Sequence, residues 1–350
     1  MKHILVTGGG GFIGSHTCLA LLEKGYKVFV IDSFENSSPK ALKKVAEITK
    51  QKNIKSDVNL KLFKGDICNL NFIDGVFSEI IKRYRFLDGV IHFGGLKAVA
   101  ESVSKPISYW KVNVLGTINL LEIMSQYKIR NLVFSSSATI YANTKRSLLK
   151  ENSELRPINP YGNTKLTVEI LLDDLFKSSN KLWRLASLRY FNPIGAHNSG
   201  LIGEDPKGSP HNIFPLIINT ALGLQKELKI FGNDWPTYDG TPIRDYIHIM
   251  DLAKAHIGVM EHLISNKPNY LKINIGTGKG TSVLDLVKTF EKVNNVSVPY
   301  VFSDRRPGDL CSLIADNSML INELEIRPKM SIETMCRDGW KWKKLNPNGY

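Results

Sequence analysis

The chain has 350 residues, of which 43% are hydrophobic and 23% charged, so its length suits about two folded domains and excludes a disordered protein. Lys and Arg outnumber Asp and Glu by 46 to 33, a formal net charge of +13, but the basic residues are dispersed and are not interleaved with aromatic residues. We therefore expect a solvated basic surface and no nucleic-acid partner.

Short apolar runs alternate with helix-length segments along the first half of the chain. Five of these runs, bounded by Gly, Asp or Ser, predict buried parallel strands at 4–7, 27–32, 60–66, 88–94 and 131–137. The segments between and after them predict helices at 13–24, 39–50, 71–84, 104–125 and 161–176, and a sixth strand follows at 185–191. This alternation is typical of right-handed crossovers, so we predict an α/β fold of the Rossmann type with a doubly wound parallel sheet.

The regular alternation ends after residue 193, where Gly, Pro and Asn become frequent. We predict a cofactor-binding domain at 1–190, rejoined by a returning segment near 245–263, and a smaller mixed α/β substrate-binding domain at 191–350.

A glycine-rich turn follows the first predicted strand. The segment 7–14 (TGGGGFIG) fits both G-x-G-x-x-G and G-x-x-G-x-x-G. Missing Cβ atoms allow the tight turn and let backbone N–H groups approach a pyrophosphate at the start of the helix. The second strand ends at Asp32, where a carboxylate can accept a hydrogen bond from a ribose 2′-OH and repels a 2′-phosphate, which predicts NAD rather than NADP. Asp66 and Ile67, at the end of the third strand, are placed to contact the adenine.

A tyrosine and a lysine lie four residues apart at the start of a predicted helix, in the segment NPYGNTK. Tyr161 and Lys165 therefore share one helix face. An ammonium beside a phenol lowers the tyrosine pKa from ~10 towards neutral pH, which would make Tyr161 a general base. The same spacing is common by chance on surface helices. Ser135, Ser136 and Ser137 end the fifth predicted strand, at the edge where open α/β sheets bind ligands.

The glycine-rich turn, the serine run and the Tyr-Lys pair together resemble the short-chain dehydrogenase/reductase superfamily, in its extended branch that acts on nucleotide sugars. Further segments are similar to UDP-glucose 4-epimerases over essentially the whole chain: 91–99 (IHFGGLKAV), 188–196 (LRYFNPIGA), 203–206 (GEDP), 230–234 (IFGND), 239–248 (DGTPIRDYIH) and 305–309 (RRPGD). The resemblance implies Tyr161 as catalytic base and acid, Lys165 as a ligand of the nicotinamide ribose, and Ser137 as a hydrogen-bond partner of the reacting oxygen.

The resemblance also implies contacts to NAD and to a UDP-hexose substrate, and it implies a homodimer. Arg244 and Arg306 are expected to hold the diphosphate, which a guanidinium fork suits better than an ammonium. Cofactor contacts are implied at Gly8, Gly11, Phe12, Ile13, Gly14, Asp32, Asn36, Asp66, Ile67, Phe93, Lys97, Asn113, Ser135, Tyr161, Lys165 and Tyr190. Substrate contacts are implied at Ser137, Tyr161, Asn192, Asn212, Phe231, Arg244, Arg306, Asp309 and Leu313.

Interconversion of UDP-galactose and UDP-glucose is the favoured activity, through a 4-keto intermediate with tightly bound NAD. A UDP-N-acetylglucosamine 4-epimerase or another nucleotide-sugar epimerase stays open, because Leu313 is intermediate between the side chains that border the sugar in strict and tolerant forms. A 4,6-dehydratase would need an acid after the serine run, where Ala138 and Thr139 stand. A non-catalytic NAD-binding regulator would have no need of Tyr161 and Lys165.

The cysteines and the apolar stretches favour a cytoplasmic protein with no membrane contact. The four cysteines form no C-x-x-C pair, which favours reduced thiols over a disulfide framework. The first residues lack the features of a signal peptide, and the longest uncharged stretch, 208–225, contains two prolines and several polar side chains. The eight histidines form no H-E-x-x-H or H-x-H pair, so we expect no metal site.

Overall fold

The computed structural model describes residues 1–54, 59–142, 148–179, 181–208, 210, 212–306 and 308–350. These residues form two compact units. The first unit comprises Met1–Tyr141, Leu155–Arg189 and Ala253–Ile273, and the second comprises Ala142–Glu154, Tyr190–Leu252 and Asn274–Tyr350.

The described strands are numbered in chain order. They are β1 His3–Thr7, β2 Lys27–Asp32, β3 Leu60–Lys64, β4 Gly89–His92, β5 Asn131–Ser137, β6 Leu148–Leu149, β7 Arg184–Tyr190, β8 Asn192–Ile194, β9 Leu228–Phe231, β10 Ile243–Arg244, β11 Tyr246–His248, β12 Tyr270–Ile275, β13 Thr281–Ser282, β14 Tyr300–Ser303 and β15 Ser312–Ala315.

The described helices are numbered in the same way. They are α1 Phe12–Glu23, α2 Pro39–Gln51, α3 Leu70–Tyr84, α4 Val99–Ser104, α5 Pro106–Tyr109, α6 Gly116–Gln126, α7 Pro160–Ser178, α8 Ile213–Ala221, α9 Ile249–Ser265, α10 Val283–Asn294, α11 Ser318–Asn322 and α12 Ile332–Leu345. A π-helix occupies Trp110–Leu115 and a 3-10 turn Ala138–Ile140.

A seven-stranded sheet forms the centre of the first unit, in the spatial order β12-β7-β5-β4-β1-β2-β3. The pairs from β3 through β2, β1 and β4 to β5 are parallel. Every residue of β1 and β2 is buried, as expected of parallel strands covered on both faces by helices. The predicted Rossmann-type doubly wound sheet is therefore confirmed, and the strand order reverses direction at β1, next to β4.

Local capping residues fix where the flanking helices begin. Ser38 accepts a hydrogen bond from the Lys40 amide ahead of α2, and Asn159 accepts one from the Gly162 amide ahead of α7. Both helices have proline as their first residue, where its missing N–H costs no hydrogen bond. The start of α7 is thereby fixed at the residue before Tyr161.

The helix predicted at 104–125 is wrong as a single element. Pro106 cannot continue a helix from the preceding turn, and Lys105 adopts a non-helical conformation with φ −128°. The chain therefore forms α4, restarts as α5, and passes through the wider π-turn before α6. That π-turn contains Asn113, whose side chain is 3% exposed.

The second unit is smaller and mixed. It contains a four-stranded sheet in the order β13-β10-β15-β6, the parallel pair β8 and β11, and the parallel pair β9 and β14. Its apolar core joins α8, α10 and α12 through Phe214, Leu286, Phe290 and Met335. Because β10 pairs with both β13 and β15, Arg244 is held at the centre of the four-stranded sheet.

Two segments depart from the predicted domain limits. Residues 142–154 belong to the second unit rather than to 1–190, because β6 pairs with β15. The segment that returns to the first unit is Ala253–Ile273 rather than 245–263, because it ends in the edge strand β12 of the central sheet.

Candidate active site

The glycine-rich turn between β1 and α1 is closely packed. Gly8 has φ +69°, and a Cβ there would lie 2.8 Å from the Gly94 amide nitrogen. A Cβ on Gly14 would lie 2.2 Å from the Gly8 carbonyl oxygen. Gly11 is the N-cap of α1 and supplies no side-chain cap, so the first amides of the helix face a cradle without side chains. This arrangement fits the pyrophosphate of a dinucleotide.

Asp32 organises the turn as well as offering an acceptor for a ribose. One carboxylate oxygen accepts a hydrogen bond from the Gly10 amide at 2.8 Å. The other accepts from the Phe34 amide and the Ser37 hydroxyl, both at 2.8 Å. A carboxylate has about four acceptor positions, so one remains for a ribose hydroxyl. Asp32 therefore fits the predicted role and also fixes the position of Gly10.

The remaining predicted cofactor residues of the first unit have varied surroundings. Ile67 is buried, whereas Asp66, Asn36 and Lys97 are exposed, and Asp66 accepts a hydrogen bond from the Cys68 amide at 2.9 Å. The ring of Phe93 lies 4.8 Å from that of His256. Phe12 and Ile13 form the first turn of α1, and Tyr190 is assigned to the second unit.

Asn113, one of the predicted cofactor contacts, has a side chain that is hydrogen-bonded to protein groups at both ends. Its side-chain oxygen accepts from the Leu96 amide at 2.7 Å, and its amide nitrogen donates to the Leu96 carbonyl and the Thr164 hydroxyl at 3.1 and 3.0 Å. Both ends of the side chain are therefore engaged within the first unit. Asn113 fixes the loop that leads to Lys97, which sequence spacing alone does not reveal.

The first unit brings Tyr161, Lys165 and the serine run together. The Lys165 ammonium donates to the Ser135 carbonyl at 2.7 Å and lies 5.8 Å from the centre of the Tyr161 ring. Ser137 accepts a hydrogen bond from the Thr139 hydroxyl at 3.0 Å and lies close enough to Tyr161 to affect its pKa. A general base, a cation and a hydroxyl thus meet at the end of β5.

In the protein chain alone, burial determines the pKa values of Tyr161 and Lys165. The pKa of Tyr161 is raised to about 12, because burial disfavours the phenolate, while the Ser137 hydrogen bond acts in the opposite direction. Burial lowers the pKa of Lys165 to about 7. The prediction that the Tyr161 pKa is lowered towards neutral is therefore wrong for the protein chain alone, because burial raises this pKa by more than the Ser137 hydrogen bond lowers it.

In the second unit a cavity of about 180 Å³ is lined by six predicted substrate residues: Asn192, Asn212, Phe231, Arg244, Arg306 and Asp309. Arg244 donates to the carbonyls of Ile243 and Leu310 at 2.8 Å and forms an ion pair with Asp309. The Arg306 guanidinium lies 3.9 Å above the Phe231 ring. Two guanidinium groups in fixed positions fit a diphosphate.

Two buried polar atoms belong to residues that line this cavity and have no hydrogen-bond partner among the residues that the structure describes: the Asn192 side-chain oxygen and the Tyr246 hydroxyl. Buried polar atoms normally have partners, so a polar ligand is expected to supply them. Tyr246 was missed by the sequence analysis, although it lies two residues after Arg244, a spacing that places side chains on the same side of an extended chain.

Leu313 does not line the cavity, but it is the partner of Arg244 in the pairing of β10 and β15. A second cavity, of about 120 Å³, is lined by Glu204, Asp205 and Trp342 among others. It has two carboxylates against one cation, Lys343, whereas the first cavity has three cations, Lys229, Arg244 and Arg306, against one carboxylate, so a diphosphate fits the first cavity better. The arginine-lined cavity is therefore the candidate substrate site.

Comparison with known proteins places the chain in a family. Residues 5–339 match a family model described as GDP-mannose 4,6 dehydratase. A UDP-glucose 4-epimerase of Bacillus subtilis is 47% identical over 347 residues, covering 99% of this chain and 98% of the relative. An Arabidopsis thaliana UDP-glucose 4-epimerase 2 is 46% identical over 349 residues, covering 100% and 97%. The chain belongs to the UDP-glucose 4-epimerase family.

Solved structures agree with this membership. The crystal structure of UDP-glucose 4-epimerase from Bifidobacterium longum in complex with NAD⁺ and UDP has a TM-score of 0.91 and 42% sequence identity, with both chains covered completely. As a member of the UDP-glucose 4-epimerase family, the chain has an extended short-chain dehydrogenase/reductase fold.

Several negative findings concern the part of this epimerase-family chain that the structure describes. No helix there is long and apolar enough to cross a membrane. No group of three or more His, Cys, Asp and Glu side chains within it could hold a metal ion.

Buried His92 is hydrogen-bonded to the hydroxyls of Thr7 and Thr117, and burial lowers its pKa to about 3, so it is a neutral structural residue.

Proposed function

We propose that the protein is an NAD-dependent UDP-glucose 4-epimerase, an isomerase that interconverts UDP-galactose and UDP-glucose. The observation that carries this proposal is the convergence of Asn192, Asn212, Phe231, Arg244, Arg306 and Asp309 on one cavity. Residues separated by up to 117 positions in the sequence meet there, as binding of uracil, ribose and diphosphate would require.

The catalytic roles proposed for the first unit follow from its geometry. Bound at the glycine-rich turn, NAD would accept and return the hydride of the sugar C4, and its positively charged ring would favour the Tyr161 phenolate. Tyr161 removes the proton of the 4-hydroxyl and later returns it, so that the sugar passes through a 4-keto form. Ser137 donates a hydrogen bond to the reacting oxygen, and Lys165 binds the nicotinamide ribose and stabilises the phenolate.

Epimerisation needs the keto sugar to turn over while its nucleotide stays bound. Arg244 is fixed by two backbone carbonyls and Arg306 by an aromatic ring, so we propose that these residues hold the diphosphate throughout. Firm anchoring of the UDP, with few polar contacts to the hexose, permits hydride return to either face of C4.

A dehydratase activity is not favoured, although the family model carries a dehydratase description. Expulsion of the C6 hydroxyl needs a proton donor beside the catalytic serine. Ala138 has no polar side chain, and the Thr139 hydroxyl donates to Ser137 at 3.0 Å. Neither residue can act as a carboxylic acid.

We further propose a cytoplasmic homodimer. All four cysteines are free thiols, which suits a reducing compartment. The turns of α4, α5 and the π-helix pack against α7 and expose apolar side chains: Val103, Ile107, Trp110, Leu115 and Ile170, which are 65%, 82%, 41%, 43% and 55% exposed. An exposed apolar surface of this kind is typical of a protein–protein interface.

Purified protein tests the proposal directly. We expect denaturation to release NAD, and the native protein to convert UDP-galactose to UDP-glucose without added cofactor, because the hydride never leaves the site. Release of NADP alone, or no conversion, would overturn the proposal.

Tyr161→Phe tests the role of the phenol. The substitution removes only the proton-transferring oxygen, so we expect NAD content to be retained and kcat to fall ~10²–10⁴-fold. Tyr26→Phe is the matched control, since it removes another buried tyrosine hydroxyl of the first unit, one that donates to Glu261 at 2.7 Å. Near-wild-type turnover in Tyr161→Phe would refute the assignment of the base.

A further inference from the structure

An ion pair is completely buried in the first unit, between the catalytic helix α7 and strand β7. The side chains of Glu169 and Arg189 are 2% and 1% exposed. Arg189 donates from Nη2 to Glu169 Oε2 at 2.7 Å and from Nε to Oε1 at 3.0 Å. Burying two charges is costly, and apolar side chains of similar volume could fill the same space. The pair therefore calls for a role beyond filling the core.

Two further hydrogen bonds extend the pair. Ser136 donates from its hydroxyl to Glu169 Oε1 at 2.5 Å. Arg189 donates from Nη1 to the Tyr141 hydroxyl at 2.9 Å. The buried network formed by Ser136, Tyr141, Glu169 and Arg189 thus connects β5, α7 and β7. Its bidentate geometry restricts both distance and angle between these elements.

The network reaches the catalytic residues through their own elements. Glu169 lies one helical turn after Lys165 and two turns after Tyr161, so the three side chains share a face of α7. Ser136 lies between Ser135, whose carbonyl accepts from Lys165, and Ser137, which lowers the pKa of Tyr161. Three consecutive residues of β5 are therefore joined to three successive turns of one helix.

We propose that Glu169 and Arg189 are positioning residues that, through Ser136, fix β5 against α7 and so set the positions of Ser135 and Ser137 relative to Lys165 and Tyr161. The role rests on the proposed epimerase function. A displacement of β5 by a fraction of an ångström would lengthen the hydrogen bond between Lys165 and Ser135 and misplace Ser137 and the phenol relative to the 4-hydroxyl, which reduces kcat rather than binding of the nucleotide.

Ser136→Ala is the first test, because it removes one hydroxyl and leaves the ion pair intact. We expect kcat for UDP-galactose to fall about three- to tenfold, with KM and NAD content unchanged. Thr49→Val is the matched control, since it removes a buried hydroxyl that bonds only within α2. Wild-type kcat in Ser136→Ala would overturn the proposal.

A double variant separates positioning from stability. Glu169→Met combined with Arg189→Met replaces the pair by apolar side chains of similar length, which is often neutral for stability. We expect the thermal midpoint and NAD content to stay near those of the wild type while kcat falls at least as far as in Ser136→Ala. A folded double variant with wild-type kcat would contradict the positioning role. If the double variant does not fold, the kcat of Ser136→Ala decides between the two outcomes.

Titration of Tyr161 gives a readout that does not depend on turnover. Its phenolate can be followed on the NAD-loaded protein by ultraviolet absorbance, taking each Tyr161→Phe counterpart as the baseline. The ionisable groups facing it are Lys165 on α7 and Tyr109 on α5, which donates to Glu101 on α4. We expect Ser136→Ala to raise the Tyr161 pKa, because the Ser137 hydrogen bond that lowers it is weakened. If the Tyr161 pKa rises but the protein does not convert UDP-galactose, the epimerase function is rejected and the positioning role stands. If the pKa is unchanged, the positioning role is rejected.

Discussion

Lys165 is a buried cation whose ammonium is held by one backbone carbonyl. Burial lowers its pKa to about 7, well below its value in an unfolded chain, ~10.4. Between these two values the unfolded chain binds a proton that the folded chain has released, so stability rises with pH. Below pH 7 both states are protonated and the contribution no longer changes.

Lys165→Met should remove this pH dependence. In NAD-free protein we expect the free energy of unfolding of the wild type to rise from pH 7 to pH 9 by up to ~1.4 kcal/mol per pH unit relative to the variant. Urea denaturation at several pH values measures the difference. Lys105→Met, whose side chain is 63% exposed, is the control and should keep the wild-type slope. Parallel curves for wild type and Lys165→Met would refute the lowered pKa.

For Leu313 we propose an effect on substrate range, although this residue does not line the arginine-lined cavity. Because it pairs with Arg244 in register, the two side chains leave the small sheet on the same side. We expect efficient turnover of UDP-galactose and weaker turnover of UDP-N-acetylgalactosamine. Leu313→Tyr should abolish the weaker activity and spare the stronger one, a discrimination of ~1–3 kcal/mol in kcat/KM.

A neighbouring residue provides the comparison for Leu313. Ile314 precedes the buried end of β15 and packs against Gly280, so Ile314→Val should leave the ratio of the two activities unchanged. Equal effects of Leu313→Tyr on both substrates would show that Leu313 does not face the C2 substituent.

At the scale of elements, the end of β9 and the loop after β14 are joined by two consecutive arginines. Arg306 lies over Phe231, while Arg305 lies 4.1 Å above the Trp235 ring and donates to Asp234 at 2.8 Å. Only the first of these arginines lines the cavity. Arg305 and Arg306 therefore both stack on an aromatic ring, but we expect only Arg306 to contact the substrate.

Arg306→Ala should raise KM for UDP-galactose about 10–100-fold, because hydrogen bonds to charged groups contribute ~1.5–3 kcal/mol. Arg305→Ala removes a similar stacked arginine and should change KM less than threefold. Steady-state kinetics on both variants, with NAD content as a check on folding, makes the comparison. Similar KM increases in the two would show that the stacking, rather than the phosphate contact, matters.

At the scale of the whole molecule, the proposed dimer depends on the exposed apolar side chains beside α7. Ile107→Glu places a charge where the most exposed of these, at 82%, now stands, and it should convert the dimer to a monomer in sedimentation or light-scattering measurements. Leu182→Glu changes another exposed apolar residue of the first unit, 56% exposed, which lies after the end of α7 and outside α4, α5 and the π-helix. It should leave the dimer intact, and a dimeric Ile107→Glu protein would place the interface elsewhere.

The sequence by itself determined the order and type of strands β1 to β5 and β7 and of helices α1, α2, α3 and α7. The limits of β2 and β5 agree residue for residue with those predicted, and the single-helix prediction at 104–125 fails at a proline. These outcomes depend on local properties: alternation of apolar runs, turn residues and caps act over a few positions. The glycine-rich turn and the Tyr161–Lys165 pair were predictable for the same reason.

The tertiary structure alone decided which distant groups meet and how they are charged. The partners of Asp32, the unpaired Tyr246 hydroxyl and the Glu169–Arg189 pair join residues that no local pattern connects. The transfer of 142–154 to the second unit likewise depends on a pairing between β6 and β15. Finally, the opposite pKa shifts of Tyr161 and Lys165 arise from desolvation, which exists only once neighbouring elements have excluded water from both side chains.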